Sequence, residues 1–144
     1  PWLLKSQGTV TQMADLSQFT FIEMSDPTAV QANWLTWEGW HHQHGVKVKP
    51  SARWLRFNYT YQTVQAALAG QGVVLARLPL VEEILQNGDL VEPLPAKRIR
   101  APLSYWLVAR AGSLDSAEVL AFSNWLQKQA RQTRKIIRDH SAEE

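Results

Sequence analysis

WLRFNYTYQTVQAALAGQGVVLARLPLVEEILQNGDLVEPL, residues 54–94, is the stretch on which the fold turns. It opens with an apolar run, 54–57, followed by the polar, turn-forming Asn58-Tyr59-Thr60. Val64, Ala67 and Leu68 then fall at the i, i+3, i+4 spacing of a buried helical stripe. Gly70 ends that helix, because glycine takes the left-handed conformation at a helix end without strain. After Gly72 the run Val73-Val74-Leu75-Ala76 is short and unbroken, as in a strand covered on both faces. Pro79 suits a first helical turn, where a missing N–H leaves nothing unpaired. Leu80, Val81, Ile84 and Leu85 make a second stripe, and Asn87-Gly88 closes it. Residues 90–94 read as a last strand limited by proline. The order strand, helix, strand, helix, strand predicts right-handed crossovers and an open, Rossmann-like α/β sheet, mostly parallel, with flanking helices.

Working outward, residues 1–18 read as a short helix or loop entering the domain and 19–24 as the first strand. Asp26 and Pro27 mark a helix start, as N-cap and first helical residue. That helix carries Val30, Trp34 and Trp37 on one side and ends near His44, where Gly45 supplies the stop. Gly39 inside it costs about 1 kcal/mol relative to alanine, so a break is expected there. On the other side, 95–102 is a basic loop and 103–109 a strand with apolar side chains on both faces. Asp115 and Glu118 predict a capping box for a final helix. Val119, Phe122, Trp125 and Leu126 form its buried face.

Composition narrows the classes. A chain of 144 residues with 45% hydrophobic content can build a core. It has no cysteine, which excludes disulfides and thiolate metal sites and fits a cytoplasmic location. No apolar run approaches the ~20 residues that cross a bilayer. Pro1-Trp2-Leu3-Leu4-Lys5 has neither an initiator Met nor a signal-peptide layout, so the start reads as a cut end. Nine of the fifteen Lys and Arg lie from Lys97 onward. The group Lys128, Arg131, Arg134, Lys135 and Arg138 reads as the solvated face of a helix tail. It lacks the interleaved aromatics of a nucleic-acid platform.

The search for chemistry yields a binding site and no catalytic one. His41-His42-Gln43-His44 holds two imidazoles at helical spacing, but no third or fourth ligand converges, so no metal or other cofactor is expected. Gly70-Gln71-Gly72 resembles part of a dinucleotide fingerprint but follows a helix instead of opening one. No serine sits in a nucleophile elbow, and Glu82-Glu83 reads as a solvated pair; the chain is not expected to be an enzyme. In an open parallel sheet, ligands sit beyond the carboxyl ends of the strands. Three strand-to-helix junctions gather there, with helix-start amides and the short polar side chains Ser25, Thr28, Asn58 and Thr60. Asp26, Asn58 and Thr60 taken one at a time read better as helix caps, since caps are commoner than ligand contacts. Together they suit a small polar, anionic or zwitterionic molecule.

These residues also carry a resemblance. Residues 57–60 through 64–76 resemble the LysR-type transcriptional regulators, in the second lobe of their effector-binding domain. So do 78–81, 88–93, 104–108 and 122–126. The wording is similar to the branch holding the glycine-cleavage activator and the β-lactamase regulator. The resemblance implies a periplasmic-binding-protein type II lobe, truncated. Residues 1–12 would be a remnant of the first lobe and crossover, 13–102 the second lobe, and 103–144 the return strand and C-terminal helix. It implies effector contacts from Asn58, Thr60 and Tyr105, and DNA binding only through an N-terminal helix-turn-helix that this sequence does not contain. Apolar faces left by the missing first lobe imply a homo-oligomer, a dimer for preference. A solute-binding module of a transport system, which shares the fold, is the competing expectation.

Overall fold

A computed structural model describes residues 1–25, 33–47, 53–102 and 104–142. These fall into two compact units, Pro1–Arg100 and Ala101–Glu144. The expected helix start at Asp26 and Pro27, with Val30, lies outside the described residues.

The first unit is built on three parallel strands, β1 (Thr20–Met24), β2 (Arg53–Phe57) and β3 (Val73–Val74), in the order β2-β1-β3. Parallel neighbours need crossovers, and helices supply them. Helix α2 (Trp37–Gln43) lies between β1 and β2 in sequence, and α3 (Thr60–Leu68) between β2 and β3. Helix α4 (Leu78–Gln86) follows β3, and α1 (Trp2–Gln7) precedes the sheet. This is the expected α/β architecture.

The register explains the core. Phe21 pairs with Trp54 on one side and Val73 on the other, so three apolar side chains share one sheet face. Phe21 touches the ring of Trp37 at 4.8 Å and that of Trp54 at 5.3 Å. Leu3, Val10, Met13, Leu16, Phe19 and Trp40 complete this cluster. Each large side chain taken out of water contributes about 1.5–3 kcal/mol before the entropy cost of ordering it. Alternate residues Ile22, Leu55 and Val74 take the opposite face, and Ile22 is fully buried. Helix α3 packs across all three strands and buries Thr63, Val64 and Ala66.

Glycines close the helices as read from sequence: Gly45, Gly70 and Gly88 have φ of +68, +70 and +74°. The expected break at Gly39 falls earlier. Asn33–Leu35 form a 3-10 turn, and Thr36 is the N-cap of α2, its hydroxyl accepting from the Gly39 N–H at 3.0 Å. A β-region threonine with a side-chain acceptor is a better helix start than an interior glycine is a stop. Gly39 therefore sits inside the first turn and is tolerated.

Two expected strands do not form. Residues 90–94 run as bends into a 3-10 turn, Pro95–Lys97. An ion pair holds this segment: Arg98 donates to both carboxylate oxygens of Glu92 at 2.8 and 2.6 Å. The fork uses side chains where a ladder would have used backbone. In the second unit, residues 104–110 carry no strand assignment and none of them joins the sheet. Leu103 lies outside the described residues. The unit continues through a 3-10 turn, Ser113–Asp115, into α5 (Ala117–Ala142). Asp115 thus belongs to the turn, and it is Ser116 whose hydroxyl donates to Glu118. The face expected to be buried is not: Val119, Phe122 and Trp125 are exposed, with the last two rings stacked at 5.8 Å.

Candidate functional site

The parallel order gathers the carboxyl ends of the strands at one rim. Ser25, just past β1, donates its N–H to the carbonyl of Phe57, the last residue of β2, at 2.8 Å. Thr60, the first residue of α3, donates its hydroxyl to the thioether of Met24 at 3.3 Å. Two strand ends and one helix start therefore meet within hydrogen-bonding reach. Ser25 and Asn58 are both exposed there. Thr28 lies outside the described residues. Tyr105 belongs to the second unit and is largely exposed.

The α3 start is open. Its N-cap is Tyr59, whose side chain makes no capping bond. Neither Asn58 nor Thr60 is a cap, so the alternative role that sequence left open for them is not the one they have. The Thr63 hydroxyl donates back to the Thr60 carbonyl at 2.7 Å and the Gln62 N–H to the Tyr59 carbonyl at 3.1 Å, which firms the first turn with no side chain capping it. A helix start left this way favours an acceptor group in front of it. Sulfur is a weak acceptor, so the Thr60 hydroxyl gives up little in turning to a better one. Tyr59 and Tyr61 flank it, both exposed, with rings stacked at 6.1 Å. The junctions read from sequence, Met24 to Thr28 and Phe57 to Tyr61, include these residues, but their contacts were not legible: a thioether has no motif, and tyrosines at a helix start read as ordinary surface.

Elsewhere, candidate chemistry resolves into structure. His41 is buried, and its Nδ1 lies 2.6 Å from the Trp37 carbonyl. A carbonyl only accepts, so Nδ1 carries the hydrogen. His44 Nε2 donates to the carbonyl of Lys97 at 3.1 Å, and Trp40 Nε1 donates to the same oxygen at 3.0 Å. One turn of α2 thus ties down the loop before the end of the unit. Among the described residues no three His, Asp or Glu converge as metal ligands. Glu82 departs from the solvated pair expected of it: it is half-buried, and its Oε1 has no hydrogen-bond partner among the described residues. Gly72 is explained by packing. A Cβ there would lie 2.1 Å from the carbonyl oxygen of Thr20, so only glycine lets β3 approach β1. Among the described residues no helix is long and apolar enough to cross a membrane.

Comparison with known proteins agrees with this architecture. The LysR substrate binding domain family matches residues 3–131. A glycine cleavage system transcriptional activator homolog of Haemophilus influenzae is 29% identical over 131 residues, covering 90% of this chain and 40% of that protein. The HTH-type transcriptional regulator TrpI of Pseudomonas aeruginosa is 30% identical over 93 residues, covering 65% of this chain and 30% of that protein. The chain therefore spans less than half the length of either relative. No solved structure matches it. Parallel sheet, flanking helices and family match together place the chain in the LysR substrate-binding domain family, with its type II periplasmic-binding-like fold.

Proposed function

We propose that this chain is the effector-sensing part of a LysR-type transcription regulator and that its effector is a small polar or anionic metabolite. The observation that carries the reading is the rim at which the Ser25 amide meets Phe57 and the Thr60 hydroxyl meets Met24. Helix α3 begins there without a side-chain cap. Amides and the positive end of the helix dipole suit a carboxylate or phosphate, and Ser25, Asn58 and Thr60 are its proposed contacts at this rim. In the intact regulator, effector binding shifts a conformational equilibrium that a helix-turn-helix reads out on DNA. The transport-module alternative has no observation in its favour, since both relatives carry regulator names.

The test is titration calorimetry with a panel of amino acids and phosphorylated metabolites against the wild type and Thr60→Ala. A saturable ligand of one charge class is expected. Losing one hydrogen bond to a charged group costs about 1.5–3 kcal/mol, so Thr60→Ala weakens binding at least tenfold. An effector that binds both proteins equally removes the site from this rim.

A further inference from the structure

We propose that Met24 is a site of reversible oxidation, and that its sulfoxide takes the Thr60 hydroxyl from within the chain and so closes the rim to an outside anion. The chain has no cysteine, and methionine supplies its sulfur at two positions. Met13 is buried in the core cluster, whereas Met24 is half-buried at the end of β1, next to the exposed Ser25. Methionine oxidation follows exposure, which separates the two. The Met24 sulfur already accepts a hydrogen bond from the Thr60 hydroxyl at 3.3 Å. A thioether is a weak acceptor, and a sulfoxide oxygen is a polar and much better one. Oxidation therefore strengthens a contact that is in place before the chemistry begins.

The modification is an oxygen-atom transfer from a peroxide. A lone pair of the Met24 sulfur attacks one oxygen of hydrogen peroxide, and the S–O bond forms as the O–O bond breaks. Sulfur loses two electrons. The departing hydroxide takes the proton left on the transferred oxygen and leaves as water. The unbranched methionine side chain has three rotatable bonds with which to turn the new oxygen toward Thr60. The hydroxyl that would meet an incoming carboxylate or phosphate is then satisfied internally, and a competitor must displace it. Enzymatic reduction of the sulfoxide restores the thioether and reopens the rim. That consequence rests on the rim being the effector site, whereas the oxidation and the new hydrogen bond need no ligand.

The native protein is treated with hydrogen peroxide, and peptide mapping by mass spectrometry follows the added oxygen. Met24 should oxidise about tenfold faster than Met13, in line with their burial. Thermal melts then test the contact. Without a hydroxyl to meet the new oxygen, Thr60→Val should lose roughly 3 °C more on oxidation than the wild type does. Thr60→Ser, which keeps the hydroxyl, should behave as the wild type. Inorganic phosphate is the probe for closure, with the Thr60 amide followed by NMR. Oxidised wild type should need about tenfold more phosphate than reduced, and methionine sulfoxide reductase should reverse this. Met24→Leu should give the same titration before and after treatment. Equal oxidation of the two methionines, or equal thermal losses in wild type and Thr60→Val, overturns the proposal. So does phosphate that binds reduced and oxidised wild type alike. Phosphate that moves nothing even in the reduced protein removes the ligand site from the rim and with it the closure, while the oxidation rates and melts still decide whether Met24 is modified and held by Thr60.

Discussion

Gly72 shows how much one hydrogen atom can decide. Its missing side chain leaves room for the Thr20 carbonyl, and the neighbour is backbone that cannot swing aside. Gly72→Ala should therefore cost more than about 2 kcal/mol, through strain or loss of β3 pairing. Chemical denaturation would read this as a lower midpoint with unchanged slope. Asp15 gives a contrasting, pH-dependent case. Backbone N–H groups of Thr11 and Gln12 donate to its carboxylate and hold its pKa below the usual carboxylate range. A depressed native pKa means stability that is present above the ordinary value and lost as pH falls through the native one. Asp15→Asn should thus be less stable than wild type at neutral pH. The gap should begin to narrow as the pH drops below about 4 and go on narrowing as it falls through the lowered native value. Thermal melts at pH 7 and pH 3 check both halves. The rim residues divide in the same way between legible and hidden. Thr60 and Asn58 were readable because a polar triplet between an apolar run and a helical stripe marks a strand-to-helix junction. The contact between Met24 and Thr60 was not, since nothing in a sequence says which thioether will meet which hydroxyl.

The elements that could be read in advance are those whose evidence is local. Helices α3 and α4 announce themselves by period and by Gly70 and Gly88. The strands whose reading failed, 90–94 and the described part of 103–109, have the composition of strands, but a strand exists only by its neighbours. Residues 90–94 lost out to the Glu92–Arg98 fork and the turn at Pro95. Helix α2 offers an element-level test. Its Trp40 and its C-cap His44 both donate to the Lys97 carbonyl, and their rings meet edge-to-face with centroids 5.0 Å apart. Trp40→Phe leaves His44 to satisfy that oxygen and should cost roughly 1 kcal/mol for the bond. Adding His44→Ala strands the carbonyl, and the pair should lose more than the two single changes together. Trypsin cleavage after Lys97, followed by mass spectrometry, should accelerate modestly in either single variant and sharply in the double.

At the scale of the molecule, the seven tryptophans report separately on its parts. Trp37 and Trp40 are buried in the first unit, whereas Trp2, Trp106 and Trp125 are exposed. Iodide should quench the exposed set and spare the buried pair. Single-tryptophan variants would show the two classes separately. Nothing in the composition says which rings fall in which class. That depends on partners distant in sequence. The sheet order carries a consequence for the chain in the cell. Strand β1 is central, yet Thr20 pairs with Arg53 and Phe21 with Val73, so its partners are translated later. At ~5–20 residues per second, Phe21 and Ile22 wait roughly 3–10 s on the ribosome before the last of them emerges. During that interval the most water-averse strand of the molecule has both flanks open, and it is there that chaperones would be expected to engage the nascent polypeptide.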